Sequence, residues 1–202
     1  MVSFLNVSVV ALLLSTFTTR FIFPMISLEG RRFWILGLLP LRRETMLWSK
    51  FIFAVGGSIV PCSALILLSD TMLGVSPAIM ASHQLTCLIL CFGLSGIAVG
   101  LGARMPNLRE QSPSRIAAGF GGTLNLVFST LYSLAIVLLT AVPVYFYLGT
   151  EGPSALLAYR PDLGNWLQFW LVAGTAASIL LGLVATVVPL MIGFRACRKI
   201  EF

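Results

Sequence analysis

Residues 27–50 read SLEGRRFWILGLLPLRRETMLWSK, a run that sets Arg31, Arg32, Arg42, Arg43 and Lys50 among Phe33, Trp34, Leu36, Leu38, Leu39, Met46, Leu47 and Trp48. It is the one long run between apolar segments that is both amphipathic and heavily basic. Such a segment lies along a membrane surface, with its apolar side chains in the headgroup and acyl boundary and its cations against anionic lipid or an acidic partner. The rest of the chain then reads as the membrane frame that holds it.

Composition agrees. The chain has 202 residues, of which 58% are hydrophobic and 10% charged, a balance far from that of soluble globular proteins and a length that suits one domain. The net charge of +6 could suggest nucleic acid, but the cations sit beside apolar runs of spanning length, so they read as lipid topology and no nucleic-acid partner is expected. Cys62, Cys87, Cys91 and Cys197 fall within or beside those runs and give no secreted disulfide framework.

A helix needs roughly 20 mostly apolar residues to cross a hydrocarbon core. Five stretches qualify, at about 2–23, 51–73, 79–101, 120–148 and 166–194, which leaves 24–50, 102–119 and 195–202 on one side. Every Lys and Arg except Arg160 falls on that side, so it is read as cytoplasmic, with the N-terminus outside. The fold class is therefore all-α: a polytopic membrane protein with five transmembrane helices in a single domain, plus a cytoplasmic amphipathic helix near Arg31 to Lys50. The opening MVSFLNVSVVALLLS has no basic start and reads as a retained span, not a signal peptide. A chain that begins inside a helix is expected to be the C-terminal portion of something longer. Pro61, Pro143 and Pro189 lie inside spans and predict local kinks.

Several polar and small residues stand out within the spans. Gly96 and Gly100 form a small-xxx-small face for close helix packing, within the chain or between subunits. His83, Cys87 and Cys91 share one stripe of the same helix. One straight helix cannot surround an ion tetrahedrally, so the stripe reads as a small-residue face and leaves metal binding open. Asp70, the one acidic residue inside an apolar stretch, reads as a helix-end group. Ser58, Ser63, Thr86, Ser95, Asn125, Ser129, Thr130 and Ser133 could line a path, although such hydroxyls usually bond back to their own helix. The sequence holds no G-x-x-x-x-G-K-[ST], no G-x-S-x-G and no H-E-x-x-H. The expectation is therefore a chain that is not an enzyme and binds no cofactor, with ATP on a partner subunit.

Glu29, Gly30, Leu36, Leu39, Pro40 and Lys50 resemble the first cytoplasmic segment of type-2 ABC transporter permeases, in which an acidic residue and a glycine precede leucines, an LP pair and a later Lys. The segment GLGARMPNLREQSPSRIAAGFGGTLNLVFS, Gly100 to Ser129, is similar to a later cytoplasmic loop of large ABC exporter permeases through Pro106, Asn107, Arg109, Glu110, Pro113, Gly121, Gly122 and Asn125; Arg115 falls in the same basic loop. The resemblance implies an exporter permease whose coupling helix, with Glu29, Arg31, Arg32, Pro40, Arg42, Arg43 and Lys50, docks onto an ATP-binding cassette ATPase subunit. It implies the inner (plasma) membrane of a prokaryote, with a homodimer or further N-terminal spans to complete the pore. The alternative is a non-transporting membrane scaffold or assembly factor anchored by its basic helix.

Overall fold

A computed structural model describes residues 2–28, 43–107, 110, 112–149 and 161–198. Glu29, Arg31, Arg32, Pro40, Arg42 and Arg109 lie outside the described residues, and with them most of the expected amphipathic helix. The described residues hold helices and no strand. They are α1 (Val2–Phe17), α2 (Arg43–Met72), α3 (Pro77–Arg104), the short α4 (Pro113–Ala118), α5 (Phe120–Gly149) and α6 (Pro161–Arg198). Five helices are long and apolar enough to cross a membrane, over Phe4–Met25, Thr45–Met72, Pro77–Arg104, Phe120–Val144 and Phe169–Ala196.

The helix ends follow from local chemistry. After α2, Gly74 takes the left-handed conformation (φ 60) that reverses the chain with no Cβ penalty. Ser76 is extended and Pro77 then opens α3, where a missing N–H costs nothing. Pro113 opens α4 in the same way. The first span does not end as an α-helix. It widens into a π-turn at Thr18–Ile22 and tightens into a 3-10 turn at Phe23–Met25 around Pro24. Residues 43–50 run straight into the second span as the first turns of α2, so this part of the basic stretch is no separate helix. Helices α2, α5 and α6 continue through Pro61, Pro143 and Pro189.

Helix α3 is the central member, packed on α6, α2, α5 and α1 and mostly buried. Glycines make that possible. A Cβ at Gly96 would stand 2.7 Å from the Thr186 Cα, and one at Gly100 only 2.3 Å from the Pro189 carbonyl oxygen, so both glycines bring α3 backbone onto α6 within the chain. The outward faces are apolar, with Leu5, Leu13, Phe53, Val60, Leu131, Leu180 and Leu183 exposed. Hydroxyls and one carboxylate are buried instead: Ser15, Ser58, Ser95, Asn125, Ser129 and Asp70 are at most 1% exposed. Apolar surface outside and polar groups inside is the arrangement a lipid solvent selects.

Candidate functional site

Cross-helix contacts fix the register of the bundle. At the end away from the basic loops, His83 Nδ1 lies 3.0 Å from both carboxylate oxygens of Asp70, with both residues buried. The ring of Phe4 meets that imidazole edge-on at 4.7 Å, and the Asn6 amide donates to the Ser69 hydroxyl. Two turns further along each helix, the thiols of Cys62 and Cys91 meet. Asp70 to Cys62 on α2 and His83 to Cys91 on α3 therefore step together. The intervening pair is Ile66 with Cys87, and one more turn brings Ser58 level with Ser95. The His83, Cys87 and Cys91 stripe is thus the seam on which the α2–α3 hairpin closes. Among the described residues no group of three His, Cys, Asp or Glu is placed to hold a metal ion.

A second seam joins α1 to α5. Asn125 Nδ2 donates to Thr19 Oγ1 at 2.9 Å, and because these helices are antiparallel, one turn further brings Ser15 level with Ser129 and two turns bring Ala11 level with Ser133. The two seams meet at one depth. Phe4 against His83, and Gly102 beneath the Phe23 carbonyl, give α1 and α3 the same parallel offset at both ends and put Ser15 level with Leu94, one residue from Ser95. Asn6 with Ser69, and Lys50 with Met25, place Ser58 beside Phe17. Ser15, Ser58, Ser95 and Ser129, one from each of four helices, thus lie within about 3 Å of one level at 1.5 Å per residue, and about 15 Å from Met25. That is half the thickness of a hydrocarbon core of about 30 Å.

These serines are unusual in their bonding. Ser63, Thr86 and Thr130 bond back to carbonyls of their own helix, as expected of hydroxyls in a span. By contrast the hydroxyls of Ser15, Ser58, Ser95, Ser129 and Ser133, and Asn125 Oδ1, are buried with no hydrogen-bond partner. Each such orphan costs about 1–3 kcal/mol. Their donor and acceptor inventory, uncharged hydroxyls and an amide oxygen, suits a neutral polar guest or water.

The basic end is tied together by two bonds. Lys50 Nζ donates to the Met25 carbonyl at 3.2 Å, and the Asn107 N–H donates to Ser27 Oγ at 3.0 Å. The first clasps the two roots of the basic stretch, and the second joins its start to the loop after α3. Beneath them Ile22, Phe23, Ile26, Leu47, Phe51, Ala103 and Ile116 share one buried cluster. Gly121 meets the Phe23 ring and Gly122 the Ala117 carbonyl, where added Cβ atoms would come to 2.9 and 2.0 Å. Arg43 begins α2, and Pro106 lies just beyond α3. Glu110 and Arg115 face each other at 3.9 Å on the surface, a pair that contributes little.

Sequence reasoning read Asp70 and His83 separately and missed their pairing. A partial signal was present: Gly74 and Pro77 mark a hairpin, and counting outward from its Ser76–Pro77 midpoint sets the two residues opposite. The π-turn had no signal in the sequence, since it depends on what Thr19 and Phe23 meet across the bundle.

The model of a family described as "Putative ATP-binding cassette" matches residues 1–202. No curated protein and no solved structure matches the chain. The family match corrects two expectations, that the chain is not an enzyme and that it binds no cofactor with ATP only on a partner. A cassette of that description is an ATPase domain, and a match over the whole chain points to ATP binding in this chain itself. A search for one phosphate-cradling motif tests a single local geometry, which is why residue-level reading did not reach this result. The described residues do not supply that cradle. The glycine-rich start of α5 is filled by Phe23 and by the Ala117 carbonyl, and α5 itself carries no lysine.

Proposed function

Since the chain belongs to this ATP-binding-cassette family, we propose that it is the membrane-spanning permease component of an ATP-driven exporter. In this reading its N-terminus is outside and its basic end is cytoplasmic. The observation that carries the proposal is the serine layer. A bundle built only for anchorage has no reason to bury unpartnered hydroxyls from four helices at mid-span, where each opposes packing. A path for polar cargo requires such groups.

The basic end is where force would enter. An ATP-binding cassette subunit pressing on the stretch that carries Arg31, Arg32, Arg42 and Arg43 moves Met25 and Lys50 as one, because Lys50 clasps the Met25 carbonyl. Motion passes through the π-turn to Thr19 and Asn125, and from there to the serine layer, changing the side from which it is reached. Coupling requires that the cassette bind the two bundle arrangements with different affinity.

Two measurements test this. Affinity purification of the full chain in mild detergent should bring down a cassette subunit, and replacing both Arg42 and Arg43 with Ala should remove it while membrane insertion persists. A cysteine placed at Ser95, in a chain whose own cysteines are replaced, should react with a water-soluble thiol reagent at a rate that changes when ATP is added to the assembled membrane complex. Normal co-purification of the Arg42→Ala, Arg43→Ala variant, or labelling at Ser95 indifferent to ATP, refutes the permease reading.

A further inference from the structure

A cleft of about 500 Å³ opens on the outside of the bundle near its basic end, between the end of the first span and the α4–α5 corner. Thr16, Arg20 and Phe21 form one wall, with Ser114, Ala117 and Leu126 opposite. Its volume is in the range of small-molecule sites. Its surroundings are those of a lipid-facing surface: Phe17, Phe21 and Leu126 stand exposed around it.

Arg20 gives this cleft its chemistry. It lies inside the Phe4–Met25 span, and its side chain is exposed on the outer face. Among the described residues no carboxylate pairs with it. A guanidinium on the hydrocarbon-facing side of a span is costly unless an anion lies within its reach. Two features decide which anion. The groove beside Arg20 is apolar, so the ligand carries a hydrocarbon tail, and the position is at the end where Lys50, Arg104 and Arg115 also gather, so its head sits at a bilayer surface.

We infer that the Arg20 cleft is a binding site for one anionic phospholipid, whose phosphate takes the guanidinium of Arg20 while an acyl chain lies along Phe21, Ala117 and Leu126. The Ser114 hydroxyl, which bonds to no described residue, stands on the opposite wall as a second donor. Thr19, at the back of the cleft, is already engaged: its hydroxyl donates to the Ser15 carbonyl and accepts from Asn125. The lipid therefore packs directly behind the α1–α5 seam. The inference needs the chain to lie in a bilayer, and does not depend on the transport reading.

Native mass spectrometry of the full chain, with phosphatidylglycerol or phosphatidylcholine of the same acyl chains added to the detergent, tests it. The wild type should retain phosphatidylglycerol about fivefold better, the difference expected of one basic side chain at a lipid surface. Arg20→Gln should abolish that preference and Arg20→Lys should keep most of it. A photoactivatable phosphatidylglycerol should cross-link to wild-type peptides containing Phe21 or Ala117, a readout that needs no variant to fold. Equal retention of the two lipids, a preference that survives Arg20→Gln, displacement by inorganic phosphate alone, or cross-links confined to other helices would each overturn the assignment.

Discussion

At the far end of the α2–α3 hairpin Asp70 and His83 are buried against each other. Three turns toward the basic end the same interface buries Ser58 and Ser95 with no partner for either hydroxyl. Both pairs lie on one seam and are equally hidden, yet they do opposite things to the hairpin. The carboxylate takes the Nδ1 side of the imidazole and clamps the helices where the loop already joins them, although His83 Nε2 is buried without a partner of its own. The serines make no bond across the interface at mid-span and leave unspent polar capacity there. One interface is thus bonded across its hairpin end and unbonded in its middle, the distribution that the proposed opening at one depth calls for.

The largest expected effect breaks the clamp. Asp70→Ala leaves His83 buried without its partner and should destabilise the protein by about 3 kcal/mol, read as a lowered midpoint of thermal unfolding in detergent. A loss under about 0.5 kcal/mol would erase the contrast between the two ends. Next comes Gly100→Val, which sharpens the comparison by wedging α3 away from α6 on its other face. A Cβ already 2.3 Å from a backbone carbonyl has nowhere to go, and the cost should be about 2 kcal/mol by the same measurement.

The third change should act with the opposite sign. Ser58→Ala together with Ser95→Ala removes two buried groups that make no bond and should raise stability by about 1 kcal/mol, while abolishing the ATP-dependent labelling change at a cysteine placed at Ser15. A destabilisation of the size seen for Asp70→Ala would mean the two hydroxyls are bonded after all. The smallest effect lies outside the bundle. Arg115→Ala breaks a surface pair at 3.9 Å and should stay within about 0.5 kcal/mol of wild type, which calibrates the first three.

Much of this architecture was legible in the residues. Five apolar runs announced five helices, because a lipid solvent rewards length and hydropathy before any tertiary contact forms. The spacing of Gly96 and Gly100 announced a close helix contact, although only the packing assigned it to α6 within this chain. The polar interior was half legible: eight residues were singled out, but which of them bond back to their own helix depends on rotamer choices set by neighbours on other helices. Thr86 and Thr130 took the local bond, whereas Ser58 and Ser95 did not. The Asp70–His83 pair was missed because each residue was weighed on its own helix, when the information lay in how the hairpin between Gly74 and Pro77 folds α3 back along α2.

The π-turn at Thr18–Ile22 carries one surplus residue. A turn this wide absorbs its extra residue locally, so excising it lets an ordinary α-turn close in its place and leaves the upstream rod in phase with the rest. Phe4 and Asn6 would keep His83 and Ser69 as neighbours, and the Phe23 carbonyl its seat above Gly102. A single-codon deletion there would make the first span a continuous α-helix without rephasing it against its neighbours.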